Sequence, residues 1–184
     1  MIMLITGGSG SGKSEYAENL LLEKRTAWEL QHPGEERKST YIATMYPFDM
    51  ESKKRIQRHQ KMREKKHFET IECYTDLKKI PLQEEQFLLL ECMSNLTANE
   101  MYREDGCRRK GLACEAFIVS EVAYCMKHAI DMVIVTNEIS SDGIAYDTDT
   151  MEYMKILGGV NQKLAVLADQ VIEVVYGIPI DRKK

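Results

Sequence analysis

An opening apolar run, MIMLIT, is followed at once by GGSGSGKS and then by a helical pattern, SEYAENLLLE. Gly7, four intervening residues, Gly12, Lys13 and Ser14 satisfy G-x-x-x-x-G-K-S/T, the spacing of a phosphate-binding loop. Glycines let such a loop turn its backbone N–H groups inward around phosphate oxygens, and the helix that follows presents the positive end of its dipole to the same charge. The competing reading, a glycine-rich turn that binds nothing, does not call for a strand before it and a helix after it, and this chain has both. Gly7, Gly8, Ser9, Gly10, Ser11 and Gly12 are therefore read as a nucleotide cradle, with Lys13 aimed at the β- and γ-phosphates and the Ser14 hydroxyl at Mg²⁺.

A loop of this kind needs a parallel sheet behind it, and the rest of the chain alternates accordingly. Strand candidates are Met1 to Thr6, Ser39 to Thr44, Phe68 to Glu72, Phe87 to Cys92, Met132 to Asn137 and Val171 to Tyr176. Several are continuous apolar runs, as expected where helices cover both faces of a sheet. Helix candidates fall near 14 to 24, 51 to 66, 112 to 129 and 150 to 168, while 25 to 38 and 93 to 111 read as surface loops. No internal repeat or Gly/Ser linker divides the chain, so residues 1 to 184 are read as one α/β domain with a mainly parallel sheet and helices on both faces.

Composition excludes other classes. Lys plus Arg number 25 and Asp plus Glu 29, a formal net charge of −4, which does not suit a surface built throughout for nucleic acid, and no nucleic-acid partner is expected. No run approaches the ~18 consecutive apolar residues of a membrane helix, and the first charged side chain, Lys13, stands inside the glycine loop rather than before an apolar run. The expectation is no membrane span, no signal peptide and a cytoplasmic location. Five cysteines, Cys73, Cys92, Cys107, Cys114 and Cys125, form no CxxC pair and read as reduced packing thiols.

Two further features bear on chemistry. A phosphate-binding loop wants a second acidic group for Mg²⁺ or its waters at the end of a neighbouring strand. Glu91, closing QFLLLEC, suits that role and equally suits a structural carboxylate at a strand end; Glu138, after VIVTN, is a weaker choice of the same kind. Residues 51 to 66, ESKKRIQRHQKMREKK, carry eight basic side chains, including Lys53, Lys54, Arg58, Lys61, Lys65 and Lys66. Helical spacing sets Arg55, His59 and Arg63 on one face, with the imidazole between two guanidinium groups. Neighbouring cations disfavour the imidazolium, so His59 could act as a nucleophile beside a polyphosphate. A solvated basic helix with an idle histidine is the plainer alternative, and an RNA-binding surface is a third, weakened by the absence of interleaved aromatic residues.

The pieces together resemble a known family, the bifunctional adenosylcobinamide kinase and adenosylcobinamide-phosphate guanylyltransferase of cobalamin biosynthesis. The resemblance runs nearly end to end: GGSGSGKS, TYIAT at 40 to 44, RIQRH at 55 to 59, TIEC at 70 to 73, LLLEC at 88 to 92, VIVTNE at 133 to 138, then GGVNQKLA and VVYGIPI. It implies a P-loop NTPase of RecA-like fold, a homo-oligomer and specifically a trimer, that phosphorylates adenosylcobinamide with ATP or GTP and then joins GMP to the phosphate. The family's guanylylated histidine falls on His59. Its nucleotide contacts fall on the loop from Gly7 to Ser14, on Ala43, Thr44 and Met45, on Gln60, Lys61, Met62 and Arg63, and on Glu72 and Glu91, with Ser14 and Glu91 at the metal. A P-loop kinase without guanylyl transfer and a non-enzymatic nucleotide or RNA module are the competing readings.

The chain departs from the family at Gly10, where members usually carry arginine, and over 139 to 159, where a proline and most of an arginine-rich helix are replaced. Trp28 to Glu36 has no assigned counterpart. Tyr146, Met151, Tyr153 and Met154 read either as an apolar corrinoid surface or as a helix packing face. The functional reading requires that the glycine cradle and the His59 ring meet on one triphosphate.

Overall fold

The computed structural model describes residues 1–63, 66–103, 106, 108–139 and 146–184, and of Arg55 and Met62 the backbone alone. Lys65, Cys107, the side chains of Arg55 and Met62, and residues 140–145 of the divergent segment lie outside the described residues.

Strand β1 (Ile2–Thr6) leads through the glycine loop into α1 (Lys13–Gln31), β2 (Ser39–Ala43), α2 (Met50–Arg63) and β3 (Glu69–Glu72). A short 3-10 turn (Leu77–Lys79), β4 (Gln86–Glu91), α3 (Met93–Met101) and α4 (Gly111–His128) follow. The chain continues with β5 (Ala129–Val135), α5 (Thr148–Leu167), β6 (Gln170–Val175) and β7 (Ile178–Lys183). Among the described residues all seven strands form one sheet, ordered β3-β2-β4-β5-β1-β6-β7, parallel except for β7 at its edge. Among the described residues no helix is long and apolar enough to cross a membrane.

Side chains alternate across each strand, so one apolar run feeds two cores. Leu4, Ile42, Leu88, Leu90, Met132 and Ile134 point to the side covered by α3, α4 and α5, where Leu96, Ile118, Val122, Leu157 and Val160 meet them. Met3, Ile5, Phe87, Leu89, Val133 and Val135 point the other way, onto Ala17 and Leu21 of α1. Both faces of the central strands are therefore buried, which accounts for the unbroken LLL and MVIV runs.

Two sequence expectations are corrected and one strand is added. The span 93 to 111, read as a loop, begins with α3; its inward positions Met93, Leu96, Thr97, Glu100 and Met101 keep helical spacing. Buried Thr97 and Glu100 broke the apolar signal, because the Glu100 carboxylate is satisfied by Arg103 and Arg109 rather than by water. The span 25 to 38, also read as a loop, is helical as far as Gln31: α1 runs past its charged Glu23-Lys24-Arg25 stretch and stops only before Pro33. Trp28 on that last turn packs edge-on to Phe87, with centroids 6.0 Å apart. Strand β7 escaped notice because Pro179 and three charged residues mask it, yet a proline is tolerated at a sheet edge. It turns back from β6 over Tyr176 and Gly177, at φ +51° and +80°, the geometry of a two-residue hairpin.

Of the five cysteines, Cys92, Cys114 and Cys125 are buried and Cys73 is half-buried, and none of these four is in a disulfide. Burial pushes the Cys125 thiol up to about 12, well away from thiolate chemistry. Tyr153 on α5 packs against the core and donates to the Ser94 carbonyl at 3.2 Å, whereas Met151 and Tyr146 face solvent.

Candidate nucleotide site

The loop between β1 and α1 is shaped by its glycines. Gly7 lies at φ +150°, and a Cβ there would stand 2.5 Å from the Val174 carbonyl oxygen, so no side chain fits without moving β6. Gly12 enters α1 at φ +89°, a left-handed position, and leaves the first-turn amides of the helix facing the loop. Gly177 of the β6–β7 hairpin donates its N–H to the Ser11 carbonyl at 2.8 Å and braces the cradle from outside. Lys13 is 8% exposed, and its ammonium donates to the Gly8 carbonyl at 2.9 Å.

Glu91, at the tip of β4, ties three elements together. Its Oε1 accepts the Ser14 hydroxyl at 2.5 Å and lies 3.7 Å from His59 Nδ1, while its Oε2 accepts the Tyr41 phenol at 2.9 Å. Burial first, and then the Glu91 charge, drive the Tyr41 phenol far above its ordinary range, so it is held as a hydrogen-bond donor. The buried Arg63 guanidinium stacks over the same ring, 3.5 Å from its centroid, and its Nε has no hydrogen-bond acceptor among the described residues. The sequence reading gave His59 cationic neighbours only; the structure adds a carboxylate.

These groups line one cavity of about 840 Å³ at the carboxyl ends of the parallel strands, where ligands of open α/β sheets bind. Of the residues singled out from sequence, Ser9, Gly10, Ser11, Gly12, Lys13, Ser14, Ala43, Met45, His59, Gln60, Arg63, Glu72 and Glu91 all line it. Gly7, Gly8, Thr44 and Lys61 do not. Thr44 is fully buried, donating its hydroxyl to the Cys92 carbonyl and accepting from the Cys92 amide, each at 2.8 Å. Its side chain holds the turn after Glu91. Glu138 sits outside the cavity, its amide donating to the Gly7 carbonyl at 3.4 Å. On α2 the lining face carries Ile56, His59 and Arg63, with Arg58 added.

Several lining residues were missed. Ser94, Asn95 and Asn137 follow the tips of β4 and β5, and position at a strand's carboxyl end was the available signal. Asn137 donates to Ser94 Oγ at 2.5 Å, and Ser94 Oγ is 3.0 Å from Cys92 Sγ, a polar shelf in the same cavity as His59. For a cation, the Ser14 hydroxyl and the Glu91 carboxylate stand together at 2.5 Å; among the described residues no cluster of three or more His, Cys, Asp or Glu could hold a metal unaided. One hydroxyl and one carboxylate suit a hard ion that keeps water and phosphate oxygens for most of its shell.

Comparison with known proteins gives the family. The family described as cobinamide kinase / cobinamide phosphate guanyltransferase matches residues 3–181. The chain is 32% identical to the bifunctional adenosylcobalamin biosynthesis protein CobU of Salmonella typhimurium strain LT2, and 30% identical to the protein of the same description from Escherichia coli K12. Each alignment covers the whole of both chains. Among solved structures, an ATPase domain superimposes with a TM-score of 0.50 at 9% identity, over 94% of this chain and 68% of that one, a likeness of fold alone.

Proposed function

The chain belongs to the cobinamide kinase / cobinamide phosphate guanyltransferase family, and from that premise we propose that it phosphorylates the aminopropanol hydroxyl of adenosylcobinamide with ATP or GTP and then joins GMP from GTP to that phosphate. The observation that carries the reading is the shared carboxylate: Ser14 of the glycine cradle and His59 of the basic helix both address Glu91 Oε1. One bound triphosphate would then have the cradle amides and Lys13 on one side and the imidazole on the other.

In the kinase step the acceptor hydroxyl oxygen bonds to the γ-phosphorus and gives up its proton to water, as the bond from that phosphorus to the bridging oxygen breaks and the nucleoside diphosphate leaves. Catalysis is positioning together with the charge of Lys13 on the transferring group. In the second reaction a ring nitrogen of His59 bonds to the α-phosphorus of GTP and pyrophosphate departs, leaving a phosphoramidate. A phosphate oxygen of the corrinoid then attacks that phosphorus, the P–N bond breaks, and His59 is restored. Arg63 and Arg58, both lining the cavity, offset charge on the phosphate oxygens. Mg²⁺, held by Ser14 and Glu91, would supply further neutralisation of the triphosphate. We read residues 1 to 184 as one domain, a reading supported by the single sheet to which the strands of the described residues belong. The homo-trimer comes from the resemblance, and a cytoplasmic location is proposed as the setting of a biosynthetic enzyme.

The test is GTP labelled at the α-phosphate, with acid-labile, base-stable label sought on the denatured chain. Wild type should retain label and His59→Ala should not, while both phosphorylate cobinamide. Phosphorylation without label in wild type would leave a plain kinase, and no nucleotide chemistry at all, with binding that weakens steeply in salt, would leave a binding module.

A further inference from the structure

Beside the nucleotide cavity lies a second hollow of about 290 Å³ that the chemistry above does not use. Its walls are aromatic. Tyr46 packs against Phe48 and Tyr74, with centroids 4.5 and 4.9 Å apart, and Tyr102 closes the far side. Phe48 is 73% and Tyr102 42% exposed, so two large rings face water at the rim. Ring faces held in solvent beside a preformed hollow mark a place where a ligand's apolar surface gains by burial.

The hollow is built on a fixed floor. Asn99 donates from one amide nitrogen to the Thr44 and Tyr74 carbonyls, 2.9 Å each, and so ties the segments after β2 and β3 to α3. Arg103 is held by Asp76 at 2.9 Å and Glu100 at 3.1 Å, so two carboxylates already engage its charge. Among the residues lining the hollow, a second polyphosphate would meet no cation beyond that engaged guanidinium. The hollow also adjoins the nucleotide site: Met45 lines one and its neighbour Tyr46 the other, and the Tyr74 phenol donates at 2.7 Å to Glu72, which lines the nucleotide cavity.

We propose that this aromatic hollow docks the corrinoid acceptor, with an apolar edge of the macrocycle seated among Tyr46, Phe48, Tyr74 and Tyr102 and its aminopropanol arm reaching past Glu72 into the nucleotide cavity. The assignment rests on the kinase and guanylyltransferase reading given above. It follows from what each cavity can hold: the basic, glycine-rich one takes phosphate, and the aromatic one, whose polar groups are three phenols, the Thr75 hydroxyl, the Asn99 amide and the already engaged Arg103 guanidinium, takes a large flat molecule fringed with amides. It also explains how an acceptor far larger than 290 Å³ is accommodated, because Phe48 and Tyr102 extend the apolar surface outward from the hollow.

The experiment compares wild type with Phe48→Ser, Tyr102→Ser and the double variant, with Leu30→Ser, 78% exposed on α1, as the control for loss of an unrelated surface apolar group. Measured are KM for cobinamide, KM for GTP, and label loaded onto the chain from GTP with no corrinoid present. The double variant should raise KM for cobinamide about tenfold or more, as expected when two aromatic anchors are truncated, while GTP KM and label loading stay within twofold of wild type. Leu30→Ser should change none of them. If wild type converts cobinamide and the double variant keeps its KM, or if KM for GTP rises in step, the docking assignment falls and the enzymatic reading stands. If wild type converts no cobinamide, the enzymatic reading falls and takes the assignment with it.

Discussion

His59 Nδ1 stands 3.7 Å from Glu91 Oε1, the same oxygen that accepts the Ser14 hydroxyl at 2.5 Å. A carboxylate in that position would serve both proposed reactions, since it addresses the hydroxyl proposed to hold the triphosphate and the ring proposed to attack it. Glu91→Gln keeps the shape and removes the charge. It should lower cobinamide phosphorylation and label transfer to His59 together, each by about 10- to 100-fold, in the range seen when a group supporting a metal or its ligands is lost. His59→Ala should abolish only the label. The two rates are measured separately beside a melting curve, and a Glu91→Gln protein that melts earlier with both rates intact would make Glu91 a structural group.

Lys13 is nearly buried inside its own loop and bonded to the Gly8 carbonyl, so its charge is fixed close to where a γ-phosphate would lie. Lys13→Ala should cut kcat for phosphorylation by roughly 10² to 10³, the usual cost of removing one preorganised charge or donor from a transferring group. Single-turnover rates at saturating nucleotide separate this from weaker binding. Near-normal turnover would mean that the loop does not hold the reacting nucleotide.

The glycines of the loop are not equivalent. An added Cβ at Gly7 meets the Val174 carbonyl at 2.5 Å, and one at Gly8 meets nothing within 4 Å. Gly7→Ala should therefore destabilise the fold, by about 1–3 kcal/mol as is typical of an overpacked or strained site, and weaken nucleotide binding with it. Gly8→Ala should leave stability within about 0.5 kcal/mol, as expected of a substitution in open space. Urea unfolding of the two variants decides this, and equal losses would show that the cradle is set by something other than contact with β6.

The sheet and the cradle were legible because their signals are local. A glycine loop between strand and helix, and strands buried on both faces, leave marks that a single sequence carries. What escaped is what depends on tertiary satisfaction of polar groups. Helix α3 hides behind Glu100, a carboxylate that looks exposed until Arg103 and Arg109 fold over it. Thr44 was grouped with the nucleotide contacts, although its hydroxyl is occupied by the backbone of Cys92. Tyr41 lies inside an apolar strand run, and only its reach to Glu91 and the guanidinium of Arg63 shows that it builds the site.

The Asp76 network gives the fold a pH dependence with a definite sign. The hydrogen bond from Arg103, assisted by Lys79, holds the Asp76 carboxyl at about 2, below its ordinary 3.8. Between those values the unfolded chain binds a proton that the folded chain does not, so stability from this group is complete above about pH 4 and fades as pH falls toward 2. Asp76→Asn removes the charge without straining the backbone, because the residue sits at φ +52°, a left-handed position that asparagine accepts readily. Urea unfolding from about pH 6 down to about pH 2.5 should show wild type more stable than the variant at the upper end, with the gap narrowing only below about pH 4. A gap that stays constant down to about pH 2.5 would mean that Asp76 titrates alike in the folded and unfolded chains, and that Arg103 holds this corner through packing rather than charge.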